Sequence, residues 1–476
     1  MRTVLTRIRE NRFARSVLTL AGGGLAAQAV VFLARPVLTR LYSPEAFGVL
    51  GLFVALAAVI STLATLRYED AVVLPESESD AKRLVALTWG SALAVCGLAA
   101  LALLPRQPIA TILGAPDLAP LLPLVPLVAL LYAYGNGAQS WLSREHAFRL
   151  IALGIAMQSL ATVGVQLAAR EAGGAGLVLG SAAGAIAFAL VLVVPVLSRG
   201  VLRNLDPTGL ARVAQRYRRF PRLGLPASAL GQIGARVPPL ALGATFGTAT
   251  VGYFGLAAMA VLVPLAFVAD AVGHVFGVHA AEAHREHTLA ELTEATYRRL
   301  LAFVAYPVLA VAFTGPALFG LVFGDEWTVA GEYARLLAPW LGLAVLVPPL
   351  TRTFDATERQ DRELWGGIAS AVGVLAGLLV GAATGSARNG ILALGIGAAV
   401  GRAVQLGLAL HVAGVSLAEA ARLSVPPVLR SLLCLAPGIG LAVSGRPLGA
   451  LGAAVAGGMV YWTWALRAEP TGSTGT

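Results

Sequence analysis

"AFGVLGLF" at residues 46–53 and "TVGYFGLA" at residues 250–257 carry one Gly-x-x-Gly-Leu pattern twice. Gly48, Gly51 and Leu52 recur as Gly252, Gly255 and Leu256 at an offset of 204 residues. Gln28 and Gln232, each in the apolar segment just before, keep the same offset. Small residues at this helical spacing let a neighbouring backbone approach closely. A common offset across glycine and glutamine positions predicts an internal duplication, and repeats around a midplane cavity are the architecture of secondary transporters.

The composition says where such a chain resides. It is 57% hydrophobic and 13% charged, with a mean hydropathy of +0.77. A soluble domain is nearer a quarter charged, so this chain is dissolved in lipid. Apolar stretches able to cross about 30 Å of hydrocarbon as helices lie near 16–34, 46–66, 84–104, 118–140, 150–169, 175–197, 223–246, 251–280, 300–323, 333–351, 365–385, 389–410, 426–443 and 448–466. Their Ala-, Leu- and Gly-rich runs lack the alternation of a membrane barrel. The expected fold is therefore an all-α polytopic membrane protein of about fourteen transmembrane helices. The first apolar run continues past a signal-peptide-like "LAAQA" to Arg35, which is spanning length. It is read as a retained helix.

The net charge of +10 is distributed as membrane topology distributes it, not as a nucleic-acid groove does. With both termini inside, 25 of the 35 Lys and Arg fall on inner segments and seven on outer loops. Arg236, Arg402 and Arg430 fall well within spans, while Arg335, at the edge of one, is counted with its outer loop. The most basic connection, "SRGVLRNLDPTGLARVAQRYRRFPR" at 198–222, reads either as a solvated linker or as a basic amphipathic helix lying on anionic lipid. It divides the chain into a six-helix lobe over 1–197 and a second over 223–410, with two additional helices and a tail over 411–476. Six is even, so the lobes are expected as parallel pseudo-symmetric repeats.

Two further stretches are specific. "PVLTRLYSPEAFGVLGLF" at 36–53 and "LRYEDAVVLPESESDAKRL" at 66–84 resemble the polysaccharide or oligosaccharide (O-antigen type) flippases of the multidrug/oligosaccharidyl-lipid/polysaccharide exporter superfamily. "FGTATVGYFGLAAMAVLVPLAFVADAVGHVF" at 246–276 and "LLAPWLGLAVLVPPLTRTFDATERQ" at 336–360 are similar to the corresponding second-lobe segments. The resemblance spans about 15–410. It implies a transporter, not an enzyme, that moves undecaprenyl-diphosphate-linked oligosaccharide from the inner to the outer leaflet of the bacterial cytoplasmic membrane by alternating access. It also implies surface polysaccharide biosynthesis, polymerase and copolymerase partners, and no cofactor or metal. A drug or cation antiporter and a peptidoglycan-precursor flippase share the superfamily.

A sugar diphosphate headgroup cannot enter hydrocarbon unaided, because burying unpaired charge is prohibitive. A cationic cleft lowers that barrier, and arginine suits it through its planar fork and permanent charge. The candidate cleft residues are Arg236 in mid-helix, Arg35 and Arg40 at the end of helix 1, Arg67 at the end of helix 2 and Arg352 at the end of helix 10. Gln28 and Gln232 are candidate polar lining. Arg67 also has Glu69 and Asp70 as salt-bridge partners nearby. Asp270 and His274, four apart inside helix 8, are a candidate proton-coupling pair. The histidines of "HVFGVHAAEAHREH" (274–287) fit neither zinc-protease spacing and read as a polar helix end. No Walker loop occurs.

Overall fold

The computed structural model of the chain describes residues 24, 27–203, 205–444 and 446–467. Among these, every regular element is helical. The first, α1, covers 27–41; the rest of its expected span lies outside the described residues. There follow α2 (Pro44–Ala64), α3 (Tyr68–Ala71), α4 (Glu78–Ala102), α5 (Arg106–Ile112), α6 (Leu124–Arg144), α7 (Phe148–Ala168), α8 (Gly174–Ser198), α9 (Pro207–Arg216) and α10 (Leu225–Phe246). The chain continues with α11 (Thr248–Arg285), α12 (Leu289–Phe323), α13 (Thr328–Leu350), α14 (Arg352–Ala356), α15 (Gln360–Ala383), α16 (Ala387–Ala413), α17 (Leu417–Val443) and α18 (Pro447–Arg467).

Each of the thirteen expected spans from 46–66 onward coincides with one long helix, and the described part of the first, from residue 27, is helical. Among the described residues, ten helices are long and apolar enough to cross a membrane by length and composition. α10 is not among them, because Gln232, Arg236, Pro238 and Pro239 dilute its hydropathy.

Two boundaries differ from expectation. α1 does not stop before Arg35 but runs through Pro36 to residue 41. The Thr39 hydroxyl donates to the Arg35 carbonyl at 3.0 Å, and side-chain donors of this kind make proline tolerable in membrane helices. Arg35 and Arg40 therefore project from helical turns. α11 and α12 are 38 and 35 residues long, and at 1.5 Å per residue each exceeds 50 Å, well beyond the hydrocarbon. The histidine-rich segment is the far end of α11, closed by a left-handed His287 at φ 61°.

The chain forms two compact units, Met1–Gly252 and Tyr253–Thr476, divided in the first turn of α11. Linker helix α9 and α10 thus belong with the first unit. In that unit α2 packs against α4, α6, α8 and α10. Tyr68, Trp89, Trp141, Phe188, Val213 and Tyr217 share one core, and Trp89 donates its indole N–H to the Tyr134 carbonyl at 3.0 Å.

The repeated glycines meet one another. A Cβ on Gly48 would overlap the backbone carbonyl of Thr248, and one on Gly252 would overlap that of Pro44. Pro44 and Thr248 are themselves 204 residues apart, so the two contacts are exchanged by the repeat. The duplicated motif is a pseudo-twofold seam joining the first turns of α2 and α11.

In the second unit α13 packs on α12 and α16, and α15 lies along α16 through a glycine seam that includes Gly373 against Gly397. The last two helices dock on α12: Tyr461 stacks on Tyr306 at 5.1 Å and donates to the Ala302 carbonyl at 2.6 Å.

Candidate functional site

α10 antiparallel to α2 positions the central polar group. Arg236 sits midway along α10 and is half-buried. Its Nε donates to Oε1 of Gln232, one turn earlier, at 3.3 Å. The Gln232 amide donates in turn to the Thr62 hydroxyl on α2 at 3.2 Å. No carboxylate pairs with Arg236 among the described residues. A cation midway along a helix expected to span, oriented by neutral groups alone among the described residues, keeps its charge available to an anion. Thr62 is the member that sequence reading missed; one threonine in an apolar helix carries no signal until its neighbour is known.

Arg35 is half-buried on α1, with its guanidinium carbon 5.4 Å from the centre of the Phe47 ring. Its Nε is buried without a hydrogen-bond partner among the described residues. Arg40 is exposed and donates to the Pro36 carbonyl at 3.0 Å. Gln28 is exposed whereas its repeat partner Gln232 is not, so the duplication does not give the two glutamines equal surroundings.

Arg67 follows the end of α2 in a left-handed conformation (φ 62°), directly after Leu66 at φ 51°. Two consecutive non-glycine residues in this region mark a strained reversal. Arg67 pairs with Asp70 at 2.6 Å and Glu69 at 3.6 Å. Burial pushes the Glu69 carboxyl above its usual range, against the opposing Thr65 hydrogen bond, and its Oε2 has no partner among the described residues. The salt bridge foreseen as Arg67's alternative role is thus present.

The second-unit candidates are arranged differently. Arg352 pairs with Asp355 at 3.4 Å, both side chains being 56% exposed. His274 does not contact the Asp270 carboxylate. Its Nδ1–H donates to the Asp270 backbone carbonyl at 2.7 Å, a contact that spacing i, i+4 on a helix allows for any residue at the earlier position. Both side chains are exposed.

The linker is built around Asp206. It caps α9 by accepting from the Gly209 amide at 2.6 Å and from the Thr208 hydroxyl at 2.8 Å, while Oδ1 accepts from Arg83 Nη2 at 2.7 Å. The apolar side of α9, Val213 with Tyr217 beyond it, is buried in the first unit's core. The apolar residues Val213 and Tyr217 are therefore spent on protein, and the basic side of the helix is the one turned outward. Arg83 holds the Asp206 carboxyl well below the usual carboxylate range, helped by Thr208 and Gly209. A depressed acid stabilises the docked helix above its unfolded titration and loses that contribution as pH falls through the lowered folded value. Asp206→Ala is expected to lower hydrogen-exchange protection factors across α9 about tenfold. Wild-type protection should be equal at pH 8 and pH 5 and should fall only in stronger acid.

Residues 37–332 match the family described as polysaccharide biosynthesis proteins. The chain belongs to this family. The resemblance read from residues 36–84 is borne out. Among solved structures, this polysaccharide biosynthesis protein is similar to the lipid II flippase MurJ in an inward-closed conformation, with a TM-score of 0.72 at 13% identity over 96% of this chain and 98% of that one. A multidrug resistance MATE transporter of the MOP superfamily, inward-facing, aligns with a TM-score of 0.61 at 17% identity over 85% of this chain and 98% of that one. The Vibrio cholerae MATE transporter VcmN, in a mutant form, aligns at 0.51 and 18% identity over 85% of this chain and 96% of that one. No curated protein matches at a significant level. These likenesses establish the fold: a multi-pass membrane protein with the architecture shared by flippases and MATE transporters.

Proposed function

We propose that the protein is a flippase that carries undecaprenyl-diphosphate-linked oligosaccharide from the inner to the outer leaflet of the bacterial cytoplasmic membrane. The observation that carries this reading is Arg236, a guanidinium in the middle of a spanning helix held by Gln232 and Thr62 and by no acid, in a member of a polysaccharide biosynthesis family. The charge bias of the connections supports both termini inside. The offset of 204 supports two six-helix lobes flanking the 198–222 linker that rock between inward- and outward-open states. In the inward-open state the cleft admits the headgroup, with the diphosphate on Arg236 and Arg35 and the isoprenoid left in the bilayer. Arg40, Arg67 and Arg352 would meet cargo at the rim, where the acids already pairing Arg67 and Arg352 exchange places with phosphate. Polymerase and copolymerase proteins would receive the product.

Two relatives' activities define the rivals. A lipid-linked peptidoglycan precursor shares the diphosphate and is favoured by the extent of the MurJ likeness; the family match favours the oligosaccharide. A cationic-drug antiporter needs buried acids free to meet cargo, whereas Asp270 is exposed and the buried Glu69 already lies beside Arg67. The test is reconstitution in liposomes with fluorescent undecaprenyl-diphosphate oligosaccharide. Outer-leaflet exposure that depends on the protein supports the proposal. Exposure of a lipid II analogue alone, or transport of a cationic dye alone, would replace it with the corresponding rival.

A further inference from the structure

The linker carries a second cationic feature that the transport reading does not use. Arg212, Gln215, Arg216, Arg218 and Arg219 line an open hollow of about 490 Å³ on the first unit. We propose that this hollow docks the phosphate of an anionic phospholipid headgroup, of the phosphatidylglycerol type.

Several observations converge on it. All five side chains are exposed, and none of the four arginines forms an ion pair with a described residue. The acid nearest in sequence, Asp206, is consumed by Arg83, Thr208 and the Gly209 amide. Four unneutralised guanidinium groups around one hollow repel each other unless an anion joins them.

The hollow is also fixed in place. Val213 and Tyr217 are buried in the core and the Arg83–Asp206 pair pins the start of α9, so the arginine side faces outward as a preformed surface. The Arg216 guanidinium lies 5.5 Å from the Tyr217 ring centre, which orders it before any ligand arrives. The linker joins the end of α8 at Ser198 to the start of α10 at Leu225. Both are expected spans, so the linker starts and ends at one face of the membrane, within reach of lipid phosphates. Guanidinium forks match phosphate oxygens in pairs. Because Val213 and Tyr217 are already buried against the first unit, the outward side of the helix offers mainly charge, and the contact is ionic and selective for headgroup charge.

Native mass spectrometry of the purified full-length protein tests this. The probes are phosphatidylglycerol and phosphatidylcholine, and the variant carries Arg212→Gln, Arg216→Gln, Arg218→Gln and Arg219→Gln together. The first phosphatidylglycerol is expected to bind wild type about tenfold more tightly than the variant, with phosphatidylcholine indifferent. A control with Arg106→Gln, Arg149→Gln, Arg170→Gln and Arg422→Gln loses the same net charge elsewhere and should bind phosphatidylglycerol like wild type. The corresponding Arg→Lys set keeps charge without the fork and should fall between; it also serves if the Gln set does not fold. Equal phosphatidylglycerol binding by wild type and the hollow variants would overturn the proposal, as would an equal loss in the control. Retention of inorganic phosphate that phosphatidylglycerol does not displace would overturn it in favour of a soluble anion site. None of these readouts depends on what the protein transports.

Discussion

Arg236→Ala is expected to reduce translocation of lipid-linked oligosaccharide about a hundredfold while leaving thermal stability unchanged. The transport effect follows from removing a charge that meets a diphosphate in a partly desolvated cleft, where truncating one partner of such a pair is strongly unfavourable. The stability effect follows from what Arg236 touches. Its hydrogen bond is to neutral Gln232, so its loss strands no buried carboxylate, and a costly intramembrane charge disappears with it. A structural arginine would behave in the opposite way, with a lowered melting temperature and transport falling only in proportion to folded protein. Arg236→Lys keeps the charge but not the fork and should lose about tenfold. Gln232→Ala releases the guanidinium from its tether without removing it, and about fivefold is expected. Liposomes with matched amounts of each variant, together with melting curves in detergent, separate the two roles. A melting temperature lowered by several degrees with transport per folded molecule intact would move Arg236 into the scaffold.

The second large effect concerns the seam between α2 and α11. Gly48→Ala or Gly252→Ala places a methyl group into a backbone carbonyl, that of Thr248 or of Pro44. A carbonyl in a helix cannot swing aside as a side chain can, so the helices must separate along the seam. Overpacking of this kind costs about 2 kcal/mol, of which alanine's better helix propensity returns at most about 1 kcal/mol. Valine at either position should be worse than alanine. Both glycines open the same seam, so the double alanine variant should destabilise by less than the sum of the singles. Gly255→Ala supplies the contrast. It occupies the second glycine position of the same motif, yet nothing lies within 4 Å of its Cβ position among the described residues, so substitution there should be neutral or slightly stabilising. Melting curves of these variants decide the matter. If Gly48→Ala and Gly255→Ala melt alike, the seam is not under close packing and the repeat has another cause.

Much of the architecture is legible in the residues because the bilayer imposes a length. Roughly twenty apolar residues are required to cross it, and every stretch meeting that need is helical wherever the structure describes it. Helix ends outside the hydrocarbon follow no such requirement. Hydropathy falls away near residue 280 while α11 continues to Arg285, and polar residues sustain a helix in water as well as apolar ones do in lipid. The first helix likewise outlasts its apolar run, continuing through Pro36 to residue 41.

The candidate site divides along the same line. Which residues are cations inside apolar helices is visible in one dimension, and Arg236 is found that way. What surrounds each of them is not. Thr62 reaches Gln232 across 170 residues of chain and Arg83 reaches Asp206 across 123, and neither pairing leaves a local trace. The linker shows the difference most clearly: "TGLARVAQRYRRF" is amphipathic on its face, but only the packing of Val213 and Tyr217 against the first unit decides that protein, and not lipid, covers its apolar side.

From the residues alone came the membrane, the run of apolar helices, the repeated glycine motif and the family, because each rests on composition or on motifs that the chain carries along its length. The tertiary structure alone decided that the repeated glycines face one another, that Arg236 is tethered without an acid, and that the arginines of α9 point outward. Those outcomes depend on which distant segments pack together, and packing is settled by the shape and polarity of both surfaces at once.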